Sequence, residues 1–271
     1  MRIEIDHRTT YKYEQPLRYG LQELRLSPRD TQRQKVLQWK IDAPGIDRAL
    51  EFFDAWGNKV HLVNQKEETG GSTIAVKGIV ETMETDGIVG NLRGENTSRI
   101  FVRFTPLTEP SDEISAIAES LRGRHRDQIA LYHALMETLH KEMKFDTSST
   151  HSDTTAAEAM KNRHGVCQDF SHIFISVSRL LGQPTRYVTG YLAMEETGEI
   201  AEAHHAWVEA EVAGLGWVGF DPANGVSPDE NYVRLACGLD ATTAAPIRGV
   251  RRGYGNETLE VSVSVNQSDS Q

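Results

Sequence analysis

Cysteine is scarce in this chain, and its scarcity is the first constraint. Only two occur among 271 residues, Cys167 and Cys237. At most one disulfide can form, too few to staple a secreted scaffold, so a reducing, cytoplasmic compartment is the expectation. Long apolar runs are also missing. Nothing approaches the roughly 18 apolar residues of a membrane span, and the opening Met1-Arg2-Ile3-Glu4-Ile5-Asp6-His7 is charged where a signal peptide needs an apolar stretch. No membrane partner is expected. A cationic excess is absent as well: 29 Lys and Arg against 39 Asp and Glu give a net charge of −10. With no basic run to reverse that balance locally, nucleic acid is excluded as a partner, and a strongly anionic substrate is weakly disfavoured. Internal repeats and low-complexity tracts are lacking. What remains is a 38% hydrophobic chain, long enough for one large or two modest domains with a buried core.

The first 85 or so residues read as short strands. Alternation shows in Ile3-Glu4-Ile5 and Val36-Leu37-Gln38-Trp39-Lys40-Ile41, with Pro16, Gly20, Pro28, Pro44 and Gly45 between runs. Phe52 to Val60 reads as a strand, a tight turn at Gly57-Asn58 and a return strand. This pattern predicts an antiparallel, sandwich-like β unit. Thr105-Pro106-Leu107-Thr108-Glu109-Pro110-Ser111 is the best linker, because two prolines cannot sit inside a helix. Residues 1–105 are therefore expected to form an N-terminal β domain and residues 106–271 a second, catalytic domain of helices and strands, an α+β chain overall.

Beyond the linker the period changes. Ile114, Ile117, Ala118 and Leu121 fall on one helical face, as do Ile129, Tyr132, Met136, Leu139 and Met143. Thr155-Ala156-Ala157-Glu158 has capping-box spacing for a third helix ending by Gly165. Phe170, Ile173, Phe174, Val177, Leu180 and Leu181 predict a fourth, buried helix with Cys167 in its first turn, stopped by Gly182 and Pro184. Strands are expected at Arg186–Met194, His204–Val212 and Trp217–Phe220, the last two as a hairpin, and at Leu259–Val265 before a polar tail expected to fray.

A cysteine at a helix N-terminus meets unpaired N–H groups and the positive end of the dipole, which favour the thiolate and can hold an oxyanion. A buried, inert thiol fits the same position, so a partner base is needed. His205 heads a strand in which 205, 207, 209 and 211 share one face, and packing beside Trp207 would fix its rotamer. Neighbouring His204 points the other way and is expected to be solvated. Asp221 ends the next strand, where a hairpin brings a carboxylate to the imidazole, although capping a turn before Pro222 is its default role. The order Cys, His, Asp carries no weight by itself. That each member stands at the edge of a regular element does.

Other residues weigh less. His125, His133 and His140 recur at seven or eight residues on one helix face, the wrong step for a helical metal pair. They read as a solvated or core-edge stripe, and no metal or other cofactor is expected. Cys237 reads as buried filler, Trp207 and Trp217 as core in preference to cleft walls, and Asp169 as a residue suited to the helix dipole. Gly190 fits either close approach of a substrate backbone or a bulge.

Five ordered blocks carry a family likeness. They are Asp153-Thr154-Thr155-Ala156-Ala157-Glu158-Ala159, Gly165-Val166-Cys167-Gln168-Asp169-Phe170-Ser171-His172, Pro184-Thr185-Arg186-Tyr187-Val188-Thr189-Gly190-Tyr191, His205-Ala206-Trp207-Val208-Glu209 and Gly216 to Gly225. Together they resemble the bacterial transglutaminase-like family, and residues 1 to about 85, with Asp54-Ala55-Trp56-Gly57-Asn58, resemble its N-terminal β domain. The resemblance implies a papain-like α+β core with a catalytic Cys167, His205 and Asp221. It also implies action on a peptide or protein amide, since bacterial members are commonly regarded as cysteine proteases. Two departures bear on the substrate pocket: Gly238-Leu239-Asp240-Ala241 where the family usually has Gly-Arg-Asp-Tyr, and His204 where it often has Ser.

Overall fold

The computed structural model describes residues 1–65, 69–91, 98–148, 150–193, 204–252 and 255–267. The N-terminal half forms two four-stranded antiparallel sheets. Strands β1 (Arg2–Leu17), β2 (Tyr19–Ser27), β3 (Gln34–Asp42), β4 (Leu50–Phe53), β5 (Lys59–Gln65) and β6 (Thr69–Thr82) supply six of their strands. The expected hairpin at Phe52 is present as β4 and β5, with Gly57 at a φ of 81° in its turn. Several strands are longer than the local alternation suggests, β1 running for 16 residues. Pairing partners from distant sequence sustain such length, and these are invisible locally.

The second half contributes β7 (Ile88–Gly90), α1 (Asp112–Leu121), α2 (Gln128–Glu142), β8 (Lys144–Phe145), α3 (Ala156–Asn162), β9 (His164–Gly165), α4 (Cys167–Leu180), β10 (Thr185–Leu192), β11 (His204–Val212), β12 (Gly216–Phe220), β13 (Tyr232–Gly238), β14 (Ile247–Arg252) and β15 (Glu257–Gln267). Its five-stranded sheet has the order β13-β10-β11-β12-β7. The helices start where the sequence provides caps: Ser111 for α1, Asp127 for α2, and for α3 a complete Thr155/Glu158 capping box. The run expected at Arg186–Met194 is β10, with Met194 outside the described residues, as are residues 268–271 of the tail. The β11–β12 hairpin is formed as expected.

The two C-terminal strands cross back to the first half. β15 pairs with β1 over Ile3↔Gln267 to Tyr13↔Glu257, and β14 pairs with β2 over Ile247↔Leu24 to Arg252↔Tyr19. Residues 247–267, counted on sequence with the catalytic half, thus complete the sheets of the N-terminal half. β7 takes a place in the other sheet beside β12. An edge strand's partner is set by non-local pairing, which no local alternation reveals.

The central sheet is covered on both faces. On one, Ala206, Val208 and Ala210 of β11 pack with Phe170, Ile173, Phe174 and Val177 of α4. Further along that same face Tyr191, paired with His204, packs with Val233 and Leu235 against Ile3, Ile5, Leu24 and Leu26 of the N-terminal sheets, and on the opposite face Val188, Trp207 and Cys237 pack with Trp56. Two side-chain amides cover the β13 backbone: Gln34 accepts from Arg234 N and donates to Arg234 O, and Asn58 does the same for Cys237. β13 is thereby protected from pairing with another chain.

Candidate active site

Cys167 is the first residue of α4, preceded by an extended Val166. The chain is held there by Asp169, whose Oδ2 accepts the Val166 N–H at 2.8 Å. Gly165 makes this possible, because a Cβ at that position would lie 2.6 Å from Asp169 Oδ2 and 2.7 Å from its Cβ. Burial pushes the Asp169 carboxyl upward in pKa. The parallel bridge between β8 and β9 fixes the approach to this turn. α4 is buried along nearly its whole length, so the nucleophile candidate stands on a rigid element with its first N–H groups unspent on helix bonds.

His205 stands at the head of β11, and its Nε2 lies 2.7 Å from Asp221 Oδ2. Cys167 lies against the same imidazole within hydrogen-bonding reach. With Nε2 engaged by Asp221, Nδ1 is the ring nitrogen left for the thiol. The ring is clamped by aromatics: Trp207 stacks on it with centroids 6.3 Å apart and Tyr232 meets it edge-on at 5.9 Å. Burial alone would pull the His205 pKa down. The Asp221 bond, the Cys167 bond and the negative charge of both partners outweigh that and raise it to about 10. His205 is therefore organised to hold its proton beside the thiol.

Asp221 is fully buried, and it closes β12 at a tight turn in which Gly225 N donates to Asp221 O and Asp221 bridges to Val226. Its Oδ1 accepts Ala223 N at 3.0 Å and Asn224 N at 3.2 Å. Oδ2 accepts from Asn224 Nδ2 and Tyr232 OH, each at 2.8 Å, besides His205. Turn capping and imidazole binding, posed on sequence as alternatives, are one arrangement.

The structure thus brings Cys167, His205 and Asp221 together. Asn224 and Tyr232 were missed as site residues. A donor three residues after an aspartate in a turn is a signal that Asn224 carried, whereas Tyr232 lies across an eleven-residue separation with no local mark.

His204 is not solvated. Its Nε2 lies 3.1 Å from Thr189 Oγ1 and its ring sits between Tyr191 and His7, the latter bonded to Tyr191 OH at 2.9 Å. Burial, then the neighbouring His7 and His205, lower its pKa to about 4. The expectation failed because His7 of the N-terminal half covers this end of the face that His204 shares with Ala206, Val208 and Ala210. Gly190 stands at a register shift in β10, and a Cβ there would lie 2.1 Å from Val233 O and 2.6 Å from the Trp207 ring. It is a packing requirement. Cys237 is fully buried, with Sγ 3.4 Å from Trp56 O, and Trp207 and Trp217 are both core. His133 packs edge-on against Phe220 and His140 Nδ1 bonds with Ala223 O at 3.1 Å, so both sit at the core edge.

A thiol, an imidazole and a carboxylate in line, with the thiol on the first turn of a buried helix, define a transglutaminase-like α+β core. Residues 115–222 match the transglutaminase-like superfamily, and residues 3–81 match the bacterial transglutaminase-like N-terminal region. The chain thus carries a bacterial transglutaminase-like N-terminal region followed by a transglutaminase-like core. An uncharacterized protein of Mycobacterium leprae is 28% identical, across 98% of this chain and 99% of that one. A protein-glutamine gamma-glutamyltransferase of Pseudomonas aeruginosa is 30% identical over 138 residues, 48% of this chain and 20% of that one. Among solved structures, a candidate cysteine protease from Cytophaga hutchinsonii superposes with a TM-score of 0.74 at 23% identity, over 100% of this chain and 92% of that one. That likeness bears on the fold. Among the described residues, no helix is long and apolar enough to cross a membrane.

Proposed function

We propose that this chain is a cysteine-dependent hydrolase of peptide or protein amides, using Cys167 as nucleophile, His205 as general acid and base, and Asp221 to orient His205. The observation that carries this reading is the imidazole joined through Nε2 to a buried carboxylate with the thiol of a helix start against the same ring. The Cys167 thiolate attacks the amide carbon, and the oxyanion forms beside the first N–H groups of α4. His205 gives its proton to the leaving amine as the C–N bond breaks, leaving a thioester. It then takes a proton from water, hydroxide attacks the thioester, and the thiol leaves with that proton returned. No cofactor enters this sequence. The compartment we infer is the cytoplasm, on the two free cysteines.

The likeness to a gamma-glutamyltransferase over 138 residues favours a second reading, in which an amine replaces water at the thioester. Turnover of an amide substrate, found by screening a small peptide library with an electrophilic probe for Cys167, separates them. Under the hydrolytic reading, added hydroxylamine at millimolar concentration diverts little product to hydroxamate. Efficient hydroxamate formation there transfers the assignment to acyl transfer. If the probe modifies Cys167 no faster than a free thiol in solution, the cleft is a binding module and both readings fall.

A further inference from the structure

Asp221 is held by more donors than orientation of one histidine requires. Three converge on a single oxygen: His205 Nε2 at 2.7 Å, Asn224 Nδ2 at 2.8 Å and Tyr232 OH at 2.8 Å, all on Oδ2. Asn224 Nδ2 also lies 3.3 Å from Tyr232 OH, closing a triangle of carboxylate, amide and phenol. The two extra donors come from different places. Asn224 belongs to the turn after β12, while Tyr232 opens β13 and reaches Asp221 from two strands beyond β11 in the sheet. Tyr232 also touches the general base itself, its ring edge-on to both His205 and Trp207.

An ionised carboxylate accepts and cannot donate, so each added donor stabilises the anion and draws charge from the oxygen facing the imidazole. We propose that Asn224 and Tyr232 are positioning residues for the reaction, which hold Asp221 with Oδ2 aimed at His205 Nε2 and temper that oxygen's hold on the imidazole proton. Without such tempering, a buried carboxylate binds the imidazolium so firmly that the proton is slow to reach the leaving amine. Burial and the adjacent Asp221 push the Tyr232 phenol well up in pKa, so it stays a neutral donor throughout the working range. The other titratable groups around this pair are Cys167 on α4, His204 beside His205 on β11, and Asp229 before β13. None of them reaches Asp221 Oδ2 with a hydrogen bond among the described residues.

This inference rests on the triad reading, and alkylation of Cys167 by iodoacetamide against pH tests the two separately. The wild-type protein is expected to show an acidic inflection, as the thiolate forms, and an alkaline one, as His205 loses its proton. If the acidic inflection sits where a free thiol titrates, the triad reading itself fails. Given both inflections, Tyr232→Phe removes one donor while keeping the ring. It is expected to move the alkaline inflection upward by about half to one pH unit and to slow amide turnover about tenfold. Asn224→Ala should move it in the same direction, which covers the case in which one variant fails to fold. A purely structural role predicts a lower melting temperature with both inflections fixed. That result, or a downward move of the alkaline inflection in the folded variants, overturns the proposal.

Discussion

Two charged centres lie on one face of β11, four residues apart, and they do opposite things. At the head of the strand, His205 links Asp221 to Cys167. Further along, Glu209 is fully buried between two guanidiniums, accepting from Arg186 at 2.6 Å and from Arg234 at 2.9 Å. Trp207 stands between them. Arg186 in turn lies over the Trp217 ring at 4.0 Å. The Glu209 centre is closed, with one carboxylate oxygen given to Arg186 on the adjacent β10 and the other to Arg234 on β13 beyond it. At the His205 centre the chain of bonds ends instead on the Cys167 thiol at the start of α4. Burial of charge alone therefore does not mark chemistry. What marks it is where the bonding chain stops.

Removing one residue from each centre should separate chemistry from stability. His205→Ala is expected to lower amide turnover about 10²–10⁴-fold while the protein stays folded, read by initial rates beside a thermal melt. Full turnover in that variant breaks the contrast. The same substitution has a pH signature. Because folding raises the His205 pKa to about 10, the imidazolium's contribution to stability is fully present below about pH 6.5 and is lost as pH rises through 10. Denaturation curves of wild type and variant should therefore converge toward pH 10.

At the closed centre the signs reverse. Glu209→Gln leaves two buried guanidiniums facing a neutral amide, a loss of about 3–5 kcal/mol in unfolding free energy, measured by urea denaturation. Burial raises the Glu209 pKa, but Arg186 and Arg234 more than offset this and hold it below the usual carboxylate value. Its contribution is thus present above about pH 4.5 and lost as pH falls through the lowered value. A Glu209→Gln protein as stable as the wild type would show that the Arg186–Glu209–Arg234 cluster is dispensable to the fold.

Much of the reacting end was legible in sequence, and for a physical reason. A helix start before Cys167 is written in Gly165 and the apolar period behind it, and a hairpin of two runs joined by Ala213-Gly214-Leu215 forces Asp221 back toward β11. These are short-range constraints. The Glu209 centre was not read at all, although 205, 207 and 209 were placed on one face. Its cations come from β10 and from β13 beyond it, and no local pattern says how the strands will be ordered around β11. The same holds for Tyr232, for the return of β14 and β15, and for His204. Each depends on what the N-terminal half or a distant strand brings to the sheet.

The smallest expected effect tests whether the two centres are mechanically independent. Gly190 stands opposite His205 in the β10–β11 register, and its missing side chain is what leaves room for the Trp207 ring. In Gly190→Ala the new Cβ meets the Val233 carbonyl and the Trp207 ring well inside contact distance, so Trp207 or β13 must shift. Overpacking of this kind costs about 1–3 kcal/mol. Since Trp207 stacks on His205 while the Glu209 ion pairs are anchored on three strands, the shift should fall on the imidazole. The expected signature is a modest loss of stability with a slower Cys167 alkylation at neutral pH, and an acid denaturation midpoint that follows wild type. If instead the acid midpoint moves and alkylation does not, the strain runs toward Glu209, and the open centre is the more rigid of the two.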